Sequence, residues 1–200
     1  MASGISSSAQ RGPYAKSAGR RNAIIRSATA VFGAHGYHGG SLRQIAQQLG
    51  MSLTTLMHHF PTKAALLSAV LDQEDRSDPG FDDRARRDGF ITTVLETVAA
   101  NLHRKELVRM FSVVSAEATN PAHEAHRWLT RRYAETTARY AALIEHDRAA
   151  GRISADAPAE RLAELVIGGW EGVQIRWLAD GTDPVDAMER LLRLILQPPR

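Results

Sequence analysis

Two groups of residues carry the side chains best suited to chemistry. In the first, His58 and His59 are adjacent, with Thr54 and Thr55 before them and Lys63 just after. In the second, His123-Glu124-Ala125-His126 resembles at a glance a zinc-protease pair. That chemistry needs histidines at i and i+4, whereas the second histidine here arrives at i+3, so these two are expected to be solvated surface histidines. His58 and His59 make a poor metal pair as well, because neighbouring helix positions point about 100° apart. With no cysteine in the chain, thiolate metal sites, disulfides and cysteine nucleophiles are excluded. No nucleophile–base pair or phosphate loop is present either, so the expectation is a protein that is not an enzyme, with no metal and no cofactor. What threonine, histidine and lysine can do together is meet base edges and phosphates through hydrogen bonds.

The elements that must position the first group read clearly. Ile24, Ile25, Ala28, Val31 and Phe32 form one face of an amphipathic helix, which Gly33 and Gly36 are expected to end. Ser41 followed by Gln44 is a capping-box pattern, and Leu42, Ile45, Ala46 and Leu49 then form a stripe. Gly50 supplies a left-handed stop, Ser52 caps a new helix, and Leu53, Leu56 and Phe60 make its inner edge until Pro61 forbids continuation. Thr54, Thr55, His58 and His59 are left on the outside. Thr62 caps a further helix carrying Leu66, Leu67, Val70 and Leu71. Helix, short turn with glycine, short helix is the sequence form of a helix-turn-helix. Lys63 stands in the first turn of its helix, where a cation opposes the helix dipole. A bound phosphate at that helix start would remove the conflict.

Charge follows the same division. Residues 1–71 hold seven basic side chains and no acidic one, a net +7; the remainder holds 18 basic and 22 acidic, a net −4. Such asymmetry is expected of a nucleic-acid-binding module joined to an ordinary globular body. Residues 1–17, rich in Ser, Gly and Ala, read as a flexible basic arm; its Arg11 and Lys16, with Arg20 and Arg21 beyond it, either follow a minor groove or stay disordered. Residues 72–89 are charge-dense and broken by Pro79-Gly80, as a join should be. Further helices are expected near 90–103, 105–118, 122–150, 158–179 and from Asp183-Pro184 to Pro198. The fold class is therefore all-α, with about nine helices. The chain lacks a signal-peptide pattern and any continuous apolar run long enough for a membrane span, so a cytoplasmic protein with no membrane partner is expected.

These residues resemble the tetracycline-repressor (TetR) family of transcriptional regulators. The matching features, in order, are Phe32-Gly33-Ala34-His35-Gly36-Tyr37, Ser41-Leu42-Arg43-Gln44-Ile45-Ala46, Leu49-Gly50-Met51-Ser52, Leu56-Met57-His58-His59-Phe60 and Lys63-Ala64-Ala65-Leu66-Leu67. The resemblance implies a DNA-binding domain over 18–72, its helix-turn-helix at about 41–60, and a helical ligand-binding and dimerisation domain over 73–200. It places Ser41 and Leu42 near the DNA backbone, lets Arg43 reach a base, and makes Leu53, Thr54 and Thr55 the base-reading start of the recognition helix. Met57, His58, His59 and Lys63 match further DNA-facing positions. Met57 departs from the family's usual tyrosine and offers no hydrogen bond to a phosphate, and Thr55 replaces a frequent glycine.

By the same resemblance the partners are a palindromic double-stranded operator, a small-molecule effector and a second copy of the chain. Met110, Phe111, Trp128, Tyr133, Trp170 and Trp177 either line such an effector cavity, with His103 and Glu117 as candidate polar anchors, or pack in the core. Gly168, Gly169 and Gly172 lie mid-helix, where each costs about 1 kcal/mol against alanine. Close contact between helices explains them, either in a homodimer, together with Leu165, Leu191, Leu194 and Ile195, or inside one chain. A repressor released by its effector is the leading expectation. The alternatives are an activator of the same family and, from a different class, a helical carrier or enzyme with a basic patch.

Overall fold

A computed structural model describes residues 13–75 and 78–197, and among them there are ten α-helices and no strand. Helix α1 spans Pro13–Gly39, α2 Leu42–Gln48, α3 Leu53–His59 and α4 Lys63–Asp75. Helices α5 (Phe81–Asp88) and α6 (Phe90–Asn101) follow, then a short 3-10 turn and α7 (Lys105–Glu117). Helices α8 (His126–Ala149), α9 (Ala159–Asp180) and α10 (Pro184–Leu196) complete the chain. None of these helices is long and apolar enough to cross a membrane.

Local rules account for most of the boundaries. Ser41 Oγ accepts from Gln44 N at 3.1 Å, Ser52 Oγ from Thr55 N at 3.1 Å and Thr62 Oγ1 from Ala65 N at 3.0 Å, each satisfying an orphan donor of a first turn. Gly50 takes φ 60° in the four-residue turn between α2 and α3. Asp183 caps α10 through Val185 N at 2.9 Å, with Pro184 in the first turn.

Three boundaries differ from the sequence expectation. Helix α1 is already formed at Pro13, so residues 13–17 are helical rather than part of an arm; the rest of that arm, with Arg11, lies outside the described residues. The same helix runs straight through Gly33 and breaks only at Gly36, where φ is 71° and ψ 175°. Gly33 serves packing instead: a Cβ there would stand 3.2 Å from Glu106 O and Met110 N, so it permits the close crossing of α1 over α7, the most extensive helix pair in the molecule. Finally, the charge-dense join contains α5. Its Phe81 and Ala85 are buried one turn apart, and Asp82 and Asp83 at its start with Arg86 and Arg87 at its end both suit the helix dipole.

The buried residues form two clusters. One unites α1 to α4 with Met110 and Val114 of α7 and with Ala125, Trp128 and Leu129 around the start of α8. The other unites α5, α6, the second half of α8, α9 and α10. Within it Asp147, 2 % exposed, accepts from Phe90 N at 2.8 Å and from Arg152 Nη2 at 2.6 Å, tying the end of α8 to the start of α6. The helix-turn-helix thus shares its core with part of the body.

Candidate nucleic-acid interface

Helix α3 shows one face to the core and the other to solvent. Leu56 and Phe60 are buried and Leu53 half-buried, against Ile45 and Ala46 of α2 in the same cluster. Thr54, Met57 and His58 are exposed, Met57 by 43 %. Thr55 and His59 are half-buried. The Thr55 hydroxyl lies 2.8 Å from Ser52 Oγ, so it closes the helix start. On α2, Ser41 and Arg43 are exposed and Leu42 half-buried.

A residue expected to follow a minor groove just beyond the arm holds this helix instead. Arg21 Nη1 donates to His59 O at 3.3 Å, and its guanidinium lies 4.2 Å from the Phe60 ring centroid. A cation on the last carbonyls of α3 answers the negative end of the helix. No periodicity or motif in the sequence points to this contact, because Arg21 lies 38 residues before His59. Similarly, Ser27 Oγ donates to Gln48 Oε1 at 2.8 Å and ties α1 to α2.

Lys63 has partners inside the chain, beside the external phosphate that its position at a helix start suggested. Its Nζ donates to His38 O at 3.3 Å and stands 4.5 Å from the Tyr37 ring centroid. Burial lowers the pKa of its amine, and the carboxylates of Glu124 and Glu117 oppose that shift. An ammonium has three donors, and Lys63 is only half-buried.

The second polar group is not a pair of solvated histidines. His123 is 5 % exposed, and its Nδ1 accepts from Ala125 N at 3.1 Å. His126 Nδ1 is 2.8 Å from Ala118 O, so the two side chains close the loop between α7 and α8. Among the described residues no cluster of three or more His, Asp or Glu is arranged to hold a metal ion.

Most of the proposed cavity residues are packing residues. Met110 is fully buried beside Gly33. Phe111 and Trp128 lie 5.6 Å apart with the Arg132 guanidinium over both, Trp177 is buried under Lys105, and Trp170 packs against the second cluster. His103 is exposed in the 3-10 turn, and Glu117 accepts from Tyr37 N. Aromatics at helical spacing face the core for the ordinary hydrophobic reason. Tyr133 is different. It lines a groove of about 490 Å³ between α8 and α9, with Thr137, Glu164 and Ile167, and its hydroxyl donates to Glu171 Oε1 at 2.5 Å. Burial and then Glu171 push the Tyr133 phenol up.

The three mid-helix glycines separate. A Cβ on Gly169 would collide with Leu191 of the same chain, so α9 and α10 pack there, and Ile195 also packs against the second cluster. A Cβ on Gly168 or Gly172 would meet nothing within 4 Å. On the same side of α9 stand Leu165, 57 % exposed, and Ile175, 59 % exposed, while Leu194 of α10 is 79 % exposed. Ile175 escaped the sequence reading, although its i+10 spacing from Leu165 continues that stripe.

Known proteins agree with this architecture. A family model described as bacterial regulatory proteins of the tetR family matches residues 24–70. An HTH-type transcriptional repressor of Mycobacterium tuberculosis is 27% identical over 170 residues, covering 84% of this chain and 86% of that one. The HTH-type regulator RutR of Escherichia coli is 44% identical over 54 residues, 27% of this chain and 26% of its own. In solved structures, a TetR-family regulator from Agrobacterium tumefaciens shares the fold, with a TM-score of 0.75 at 16% identity over 90% of this chain and 97% of that one. The helix-turn-helix segment thus matches the model of the tetR family of bacterial regulatory proteins over residues 24–70, and the chain as a whole shares the fold of a regulator of that family.

Proposed function

We propose that this regulator represses transcription in the cytoplasm by holding a palindromic operator as a homodimer, and releases it when a small molecule binds the body. The observation that carries the reading is the outer face of α3. Thr54, Met57 and His58 stand exposed there, close in sequence to Arg43 and Lys63, on a segment without a single acidic residue before Asp72. In this reading Thr54, Arg43 and the start of α3 at Leu53 and Thr55 address bases. Ser41, Leu42, His58, His59 and Lys63 serve the backbone, and Met57 supplies an apolar contact where a phosphate bond is lacking.

The dimer is supported by Leu165, Gly168, Gly172 and Ile175, spaced i, i+3, i+7 and i+10, and by Leu194 of α10, which is exposed as well. An exposed apolar stripe with glycines that no contact within the chain requires suits a self-complementary helix pairing. The groove at Tyr133 has the size and mixed lining of a small-molecule site, and it adjoins the same stripe on α9. Effector binding there would alter the separation of the two recognition helices, which must be about 34 Å to meet successive major grooves.

Selection of random duplex DNA by the purified protein, near physiological salt, tests the proposal. Enrichment of an inverted repeat is the expected result. Binding that enriches nothing and vanishes with salt would reduce the basic module to an electrostatic patch.

A further inference from the structure

We infer that Glu117 is a positioning residue for operator reading: from the last turn of α7, its carboxylate fixes the angle at which the helix-turn-helix leaves α1. The inference rests on the dimeric reading above. All of α2 and α3 hang from residues 36–41, and the backbone there is broken at Gly36, not continuous. Two separate pieces of chain grip that break, and a third lies beside it. Tyr37 N donates to Glu117 Oε2 at 2.6 Å, across 80 residues of sequence. Lys63 of α4 donates to His38 O and covers the Tyr37 ring. Glu124, in the loop after α7, stands near enough to help raise the pKa of the Tyr37 phenol.

Glu117 is the centre of this arrangement. A Cβ on Gly36 would run into its carboxylate, so Gly36 is required both by its positive φ and by this approach. The His123 side chain, 1 % exposed, places Nε2 3.8 Å from Glu117 Oε2. Since Nδ1 accepts from Ala125 N, the ring proton sits on Nε2, where it has no hydrogen-bond partner; the carboxylate is the charge it faces. A carboxylate in the last turn of a helix opposes the dipole of α7, as Lys63 opposes that of α4. Both conflicts make sense at one junction, where α7 of the body reads the exit of α1. Because bonds to a carboxylate are directional and about twice as strong as neutral ones, losing this one loosens an angle without touching the DNA face.

The measurable consequence is spacing. The operator found by selection is compared with versions carrying one base pair more or fewer between half-sites, for wild type, Glu117→Ala and Glu117→Gln. Wild type should reject both altered spacings. Glu117→Ala should lose about tenfold of that discrimination, the ratio expected for one charge-assisted hydrogen bond. Glu117→Gln, which keeps an acceptor but not the charge, should lose less. Affinity for an isolated half-site and its salt dependence should be unchanged in both, an outcome that a general loss of structure would not produce. Full spacing discrimination in whichever variant folds would overturn the assignment. If wild type itself enriches no inverted repeat, the dimeric reading fails first.

Discussion

The outer face of α3 and the junction beneath the end of α1 both carry polar side chains and behave in opposite ways. On α3, Thr54 and His58 are exposed, and the capping bonds, Ser52 with Thr55 and Ser41 with Gln44, reach only three residues along the chain. At the junction, Tyr37, Glu117, Glu124 and His123 come from distant segments, and His123 is buried. A polar group left in water remains available to a partner. One taken out of water must find its partner inside, and in doing so it determines geometry. The face should therefore govern which sequence is read, and the junction how rigidly the reading head is held.

The sharpest test of that division is on the face. Arg43→Ala or Thr54→Ala should remove about 1–3 kcal/mol of discrimination at one base pair while leaving thermal stability unchanged. Competition by single-base variants of the operator measures it; equal weakening on every variant would make these residues phosphate contacts. Lys63 belongs to both regions. Lys63→Ala should weaken binding to all DNA and lower the salt slope by about one, and should also cost about 0.5–1 kcal/mol of stability through the lost contact with Tyr37. A slope that stays put would assign Lys63 to the junction alone.

The smallest effect concerns acidity at the junction. Burial holds the His123 imidazole below its ordinary pKa, with Glu117 and Glu124 pulling upward and His38 and Lys63 pushing further down. The unfolded chain therefore takes up the proton more readily, so this contribution is complete above about pH 6.5 and fades as the pH falls towards the lower folded value. Thermal unfolding of wild type should show that loss. His123→Asn, which can still accept from Ala125 N, should flatten it. An equally steep profile in the variant would place the titration elsewhere. At the alkaline end, burial and Glu124 push the Tyr37 phenol up to about 12, so no change from that group is expected near neutrality.

The helix-turn-helix was legible because its determinants are local. Serine caps, Gly50 and Pro61 act within one turn of themselves, and the apolar stripe at 3.6 residues per turn already marks which side of α3 is inward. Helix α5 was hidden by its brevity, its two apolar residues and the Pro79-Gly80 before it. The glycines show the limit most clearly: Gly33, Gly36, Gly168, Gly169 and Gly172 look alike in a string of letters. Only the tertiary structure makes the first a helix crossing, the second a break held by Glu117, the fourth a seat for Leu191, and leaves the third and fifth facing open space. In the same way, sequence by itself determined that Lys63 carries the wrong charge for its helix start. The tertiary structure decided that Lys63 and Glu117 both bind the exit of α1, because the partner of a charge is chosen by proximity in space, and for Glu117 that proximity spans 80 residues of chain.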